Sequence, residues 1–306
     1  MLLLDIFRKP TYLNKDNFML VYEKLNDKQF FNINNTDDDN HRHNKYLNSI
    51  DPDINYNSND TCNYIINTED IKNPTNELTI MTFNIRSIKK NFSNFEHLLS
   101  GFKCKLHIIC LTESWLGQNN IIKDFELEGY HPPHYQNRTK DLSGGGVITY
   151  IHKDIDYHKY IKELSFTDKY NWLGTEIRLN NKSMTFLNVY RSPNNENITF
   201  DDKFENIVEK LKTKTCYNIL GDMNYNLINI DKHIQTKSYY DLLTAASFKP
   251  LITKPTRITD TNTTLIDHIW TNDLRNSSLN KSHILLTDHL PCITIVKKIT
   301  HPYKRL

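Results

Sequence analysis

Acidic and amide side chains stand where the long apolar runs of this sequence end. Leu78–Ile85 closes on Asn84, Leu106–Glu113 on Glu113, Ser183–Arg191 on Tyr190 and Arg191, and Cys216–Asp222 on Asp222, with Asn224 two residues on. In open α/β sheets ligands bind outside the carboxyl ends of the strands, so these groups share one cleft if the runs are neighbouring strands. Each alone reads equally well as a turn former or a solvated residue. Two further sites lie downstream. In Leu265–Trp270, strand alternation puts Asp267 on the face of Leu265 and Ile269, where an unpaired carboxylate is costly and a partner is expected. Thr287-Asp288-His289 follows the apolar run from His283 to Leu286. Asp267 would orient the imidazole of His289, favour its charged form and leave its other nitrogen for a substrate. The two residues read as readily as isolated polar groups at strand ends. His268, on the opposite face with Ile266 and Trp270, reads as a core or surface histidine. Glu113 and Asp288 offer hard oxygen ligands, and no Cys/His set suits zinc, so Mg2+ or Mn2+ is the fitting ion. No GxxxxGK[ST] loop and no helix-opening GxGxxG occur, so no nucleotide cofactor is expected; Gly144–Gly146 precedes a strand and reads as a turn.

The elements that must position these groups follow from periodicity. Leu78–Ile85 and Leu106–Glu113 are apolar on both faces, as buried strands must be, and Ile88–Ser100 between them carries Phe92, Phe95, Leu98 and Leu99 at helical spacing. That is a βαβ unit with parallel strands. Strands are also expected at 147–152, 172–179, 183–191, 216–222, 265–272, 283–289 and 291–298, helices at 202–212 and 238–247, and a hairpin turn at Asn180–Asn181. So many strands with three helices exceed one doubly wound sheet. Two packed mixed β-sheets flanked by helices, a four-layer α/β sandwich, fit better.

The chain has 306 residues, 38% of them hydrophobic and 24% charged, with 8 Gly and 10 Pro, which excludes collagen-like and low-complexity classes. No apolar run is long enough to cross a membrane, and MLLLDIFRKP is broken by Asp5 too early for a signal peptide, so an intracellular protein, nuclear or cytoplasmic, is expected. The five cysteines form no CxxC pair and read as reduced core thiols. Residues 1–76 hold 16 Asn and 10 Asp, with 8 Lys/Arg against 12 Asp/Glu, whereas the remainder holds 30 against 24. The first 76 residues therefore read as a polar, largely disordered segment, within which the short apolar pieces Phe18–Tyr22 and Tyr64–Ile66 could dock on the body or form a marginal helix. His41–His43 reads as part of a solvated loop. The mildly basic body suits a polyanion without requiring one.

In order along the chain, MTFNIRS, LTESW, GGGVITYI, NVYRSP, LGDMN, TLIDHIWTN and TDH resemble the endonuclease/exonuclease/phosphatase superfamily. More narrowly, they resemble the apurinic-type endonuclease domain of LINE-like (non-LTR) retrotransposons, and DPDINYNSNDTCNYI is similar to the segment that precedes it. The resemblance covers residues 77–298, leaves 299–306 as a short tail, and implies a DNase I-like sandwich. It implies that Glu113 binds the metal with Asn84 and Asp288 beside it, and that Asp222 positions or activates the attacking water. Asn224 would hold the phosphate, Asp267 and His289 would form the family's Asp–His pair, and Tyr190 and Arg191 would meet the phosphate. Thr287 stands where the family has Ser and keeps the hydroxyl. The implied activity is Mg2+- or Mn2+-dependent nicking of DNA by a monomer, leaving 3′-hydroxyl and 5′-phosphate ends. No [YF]xDD motif of a reverse transcriptase is found, so cutting without copying is expected. A phosphomonoesterase of the same superfamily, or a domesticated copy that binds DNA without cutting, are the competing readings.

Overall fold

The computed structural model describes residues 62–65, 71 and 77–297, apart from 118–121, 138–143, 156, 162–169, 180–181, 194–196, 212–216, 260–261, 274–276 and 283–285. Readings that fall on 1–61, including His41–His43, and on 299–306 lie outside the described residues.

Numbered along the chain, the first sheet runs in the order β1 (Asn63–Ile65), β14 (Ser277–Ser282), β15 (Cys292–Lys297), β2 (Glu77–Asn84), β3 (Ile108–Thr112), β5 (Val147–Ile151), β4 (His134–Gln136). The second runs β10 (Lys249–Pro250), β13 (Asp267–Thr271), β9 (Tyr217–Asp222), β8 (Lys182–Arg191), β7 (Tyr170–Leu179), β6 (Tyr157–Ile161), and β11 (Arg257–Ile258) pairs with β12 (Thr263–Thr264) as a separate hairpin. As expected, β2 and β3 are parallel across α1 (Ile88–Ser100). The only other parallel pairs among the described strands are β8 with β9 and β1 with β14. Leu179 lies opposite Lys182 in the antiparallel β7–β8 pair, and the expected turn at Asn180–Asn181 lies outside the described residues.

Alternation divides each strand between two cores. In β2, Leu78 and Ile80 face the second sheet, while Met81 and Phe83, with Ile85 just past the strand, lie under α1 with Phe95 and Leu98. In β9, Leu220 joins the inter-sheet core, while Tyr217 and Ile219 pack under α2 (Asn197–Leu211) and α3 (Ile234–Ala245). Trp172, Phe200 and Phe204 stack in that outer layer, with Tyr239 against Phe204. Four layers result: helix, sheet, sheet, helices. Ser87 caps α1 by accepting from the Lys90 amide, an orphan donor at the helix start. Among the described residues Cys62, Cys104, Cys110 and Cys292 are free and buried, and burial pushes the Cys110 thiol up to about 12. No described helix is long and apolar enough to cross a membrane.

Two expectations are corrected. The body does not begin at Glu77: β1 lies at the edge of the first sheet, and Cys62 and Ile71 are buried in the two cores that flank that sheet. Of the run expected as a strand over 283–289, only Leu286–His289 is described; it is bent at Leu286–Asp288, and among these residues only His289 makes an isolated bridge, to Arg257. The strand between β13 and β15 is Ser277–Ser282, which pairs with β15 on the side away from β2.

Gly221 sets the approach of β8 to β9. Its φ is +131°, and a Cβ there would lie 2.0 Å from the Val189 carbonyl oxygen. Both the backbone region and the contact exclude a side chain. Gly221→Ala should cost on the order of 3–5 kcal/mol. Thermal melting reads this as a large drop in Tm; an unchanged Tm would contradict the β8–β9 spacing.

Candidate active site

The inter-sheet faces of the central strands end in polar residues. Asn84 follows Ile80 and Thr82 on the inner face of β2, Asp222 follows Leu220 on β9, and Asp267 opens β13 directly opposite Asp222 in the antiparallel register. Leu265 and Ile269 flank Asp267 in the inter-sheet core, as the alternation requires. Two carboxylates therefore sit side by side at 1% and 2% exposure.

Their neighbours fix both. Asn84 donates from Nδ2 to Asp222 Oδ2 at 2.8 Å and accepts the Arg86 amide on Oδ1 at 3.1 Å, so both ends of its amide group are assigned. The Asn224 amide donates to Asp222 Oδ1 at 3.1 Å, holding a tight turn with Asn224 at φ +50°. On the other side, His289 Nδ1 lies 2.8 Å from Asp267 Oδ2. Thr256 Oγ1 accepts the amides of Ile266 and Asp267 at 3.2 and 3.0 Å, and its carbonyl accepts the Leu290 amide at 2.7 Å. One short segment thus sets the positions of Asp267 and His289 together.

The electrostatics follow from burial and charge. Burial chiefly, then the facing Asp267 carboxylate, pushes Asp222 up to about 7, with Glu113 adding to the rise and His289 and Asn84 opposing it. For His289, burial is the largest single influence and disfavours the charged ring. The combined charges of Asp267, Asp222 and Asp288, with the Asp267 hydrogen bond, outweigh it and raise the pKa above the ordinary histidine value. His268 behaves oppositely: burial lowers it to about 4. Its Nε2 faces the Leu265 carbonyl and so donates, leaving Nδ1 to accept from the Tyr239 hydroxyl at 3.1 Å. It is a neutral core histidine.

The remaining expected residues divide. Glu113 leaves β3 at φ +53° and accepts the Trp115 indole N–H on Oε2 at 3.0 Å. Asp288 is spanned by two guanidinium groups, with Arg86 Nε 3.0 Å from Oδ1 and Arg257 Nε 2.7 Å from Oδ2. Its charge is balanced where it stands, which weakens the expectation that it ligates a metal. Thr287 was expected to touch substrate, but its hydroxyl donates to the Asn84 carbonyl and accepts the His289 amide, both at 3.1 Å. Tyr190 is buried with Val147 and Leu173 on the inner face of β8.

Arg191 requires a correction. As the next residue along a strand it must point to the opposite face from Tyr190, into the helix layer. It is 3% exposed, its guanidinium lies 4.0 Å from the Tyr225 ring centroid, and Nη1 donates to the Met223 carbonyl at 3.5 Å. Its carbonyl accepts from Asn224 Nδ2 at 2.6 Å. Arg191 braces the Asp222–Asn224 turn from behind rather than meeting a phosphate. Arg86, Arg257, Thr256 and Trp115 are the site residues that the sequence reading missed.

Residues 81–289 match the Endonuclease/Exonuclease/phosphatase family. No curated protein matches the chain. Among solved structures, the AP endonuclease LMAP from Leishmania major superposes with a TM-score of 0.62 at 12% identity, over 76% of this chain and 90% of that one. The endonuclease domain of TRAS1, a telomere-specific non-LTR retrotransposon, gives 0.57 at 15%, over 72% and 99%. The Neisseria 3′ phosphatase NExo, bound to product DNA hairpin, gives 0.55 at 13%, over 73% and 100%. At such identities these likenesses speak for the fold alone. The family match, however, spans more than half of the chain and runs from Met81 within β2 to His289 of the Asp–His pair, and on that ground the chain belongs to the endonuclease/exonuclease/phosphatase family.

Proposed function

We propose that this chain is a divalent-cation-dependent endonuclease that hydrolyses DNA phosphodiester bonds, leaves 3′-hydroxyl and 5′-phosphate ends, and derives from a non-LTR retrotransposon. The observation that carries the reading is the juxtaposition, at neighbouring strand ends, of the buried Asp222 carboxylate and Asp267, whose Oδ2 holds His289 Nδ1 at 2.8 Å.

Each group has a task in phosphodiester hydrolysis. With its pKa near 7, Asp222 is a stronger base than an ordinary carboxylate and can take a proton from an attacking water near neutral pH. Asn84 and the Asn224 amide hold its two oxygens, so its orientation is set in advance. His289, held through Nδ1 by Asp267, presents Nε2–H to a non-bridging phosphate oxygen as negative charge builds. Asn224 anchors one amide hydrogen on Arg191 and keeps a second for the phosphate.

The residues also fit a divalent cation. Asp222, Asp267 and His289 bring donor atoms within 4.8 Å of one another, and Glu113 adds its charge to Asp222. Asp222 and Asp267 are buried side by side with Glu113 partly buried near them, a concentration of carboxylates that suits a cation. His289, whose Nδ1 is bonded to Asp267, is a poor ligand, and Asp222 is kept as the base, so Glu113 with Asn84 would hold Mg2+ or Mn2+ beside it. Asp288 would join only by releasing an arginine. Such an ion would stabilise charge on the phosphate and the leaving oxygen.

Purified protein should convert supercoiled plasmid to the nicked form with Mg2+ or Mn2+, and excess EDTA should stop it. Nicks sealed by DNA ligase would establish the end chemistry. Plasmid that stays supercoiled under both ions would sink the reading, and phosphate release from monoesters without nicking would replace it with a phosphomonoesterase.

A further inference from the structure

Trp115 is out of place for a tryptophan. Trp172 and Trp270 are fully buried, whereas Trp115 is 43% exposed. It is also held there at a cost. Glu113 and Trp115 both have left-handed backbones, φ +53° and +55°, a region that disfavours side chains larger than glycine by roughly 1 kcal/mol or more per residue. The Glu113–Trp115 tripeptide is tied down on both flanks. The Ser114 and Trp115 amides donate to the carbonyls of Gly146 and Gly145, and the Ser87 and Ile88 amides donate to those of Glu113 and Ser114. A Cβ at Gly146 would meet Ser114 Oγ at 2.3 Å, so the two loops touch closely. The fold therefore fixes an indole ring in solvent beside the Glu113 carboxylate, with its N–H on Oε2.

We propose that Trp115 is a stacking platform for an unpaired nucleobase of the DNA strand bound at this site. The inference rests on the nuclease reading of the site. A rigid aromatic face loses little entropy on binding, and every base offers a π-face whatever its identity, so such a platform favours unpaired DNA without reading its sequence. The indole N–H is engaged by Glu113, and more than two fifths of the residue remains exposed. Base stacking and the placement of Glu113 then depend on one side chain, but on different parts of it.

Two substitutions separate those parts. Trp115→Phe keeps an aromatic face and loses the N–H; Trp115→Ala loses both. Binding of a fluorescein-labelled single-stranded oligonucleotide is measured by anisotropy in EDTA, where no cutting occurs. Trp115→Ala should bind about 5- to 100-fold more weakly than the parent, and Trp115→Phe within about threefold of it. Because the side chain is exposed, neither should lose more than about two degrees in Tm. Acrylamide quenching gives a second readout, since the other two tryptophans are buried. The unlabelled oligonucleotide should shield the quenchable emission of the parent and change nothing in Trp115→Phe. Equal affinities of parent and Trp115→Ala, in a protein that nicks plasmid, would overturn the platform while leaving the nuclease reading intact. Trp115→Phe as weak as Trp115→Ala would also overturn it, assigning the effect to the N–H on Glu113. A parent that neither binds the oligonucleotide nor nicks plasmid would remove both.

Discussion

His289→Ala is expected to lower the rate of DNA cleavage by about 10²–10³-fold, the usual loss for one donor aimed at transition-state charge. The size follows from the setting: the imidazole is buried, its charged form is favoured by three surrounding carboxylates, and Nδ1 is committed to Asp267 at 2.8 Å. Asp267→Asn keeps the shape but withdraws the charge. An amide that presents its NH2 to Nδ1 would also reverse the ring's tautomer, so a loss of about 10²–10⁴-fold is expected. The two residues act as one unit, so the double variant should be scarcely worse than His289→Ala alone. His268→Gln is the internal control, since that ring is neutral and bonded within the core by Tyr239 and the Leu265 carbonyl. It should cut normally if it folds. Additive losses across the pair, or a folded but inactive His268 variant beside an active His289→Ala, would show that the wrong histidine has been paired.

Much of this site was readable before any coordinates because alternation is a strict rule in strands. Once Leu78–Asn84 and Cys216–Asp222 are recognised as central strands, the placing of Asn84 and Asp222 beyond the inner face follows from counting by twos. The same count put Asp267 inside and His268 outside. Applied to Tyr190–Arg191 it would have sent Arg191 to the helix layer, where the structure has it over Tyr225; the resemblance, which treats the pair as one motif, hid this. Other features have no local signature. The pairing of Asp288 with Arg86 and Arg257 joins three distant segments, and nothing in TDH marks its aspartate as already balanced. The Thr256 hydroxyl matters only because Asp267 and His289 flank it in space. A three-residue edge strand such as β1, in an Asn-rich stretch, is too short to show periodicity at all.

Asp222→Asn should abolish cleavage and yet make the protein more stable at alkaline pH. Asp222 ionises with a pKa of about 7 in the folded chain, against about 3.8 for an unhindered aspartate, because burial and the facing Asp267 disfavour its charge. The sign follows directly: a carboxylate whose folded pKa is raised favours folding while protonated. That contribution is complete below the unfolded value, erodes as pH rises, and is gone above about 7. The full span is on the order of 4 kcal/mol, of which an asparagine, losing one of the hydrogen bonds that Asn84 and Asn224 make, should recover about 1–3. The variant should therefore melt about 2–10 degrees higher than the parent at pH 8 in EDTA and show no advantage near pH 4. His289, whose pKa is raised, adds to the same trend, its contribution lasting below the ordinary histidine value and fading as pH climbs past its folded one. A divalent cation held by Glu113 beside Asp222 would offset that charge, so Mg2+ should raise the Tm of the parent at pH 8 and do less for Asp222→Asn. Such a trade of stability for a charged site is what a hydrolytic centre built from facing carboxylates implies. Equal melting of the two proteins at pH 8, with and without Mg2+, would mean that the Asp222 charge is already balanced by its own neighbours and that any cation binds elsewhere.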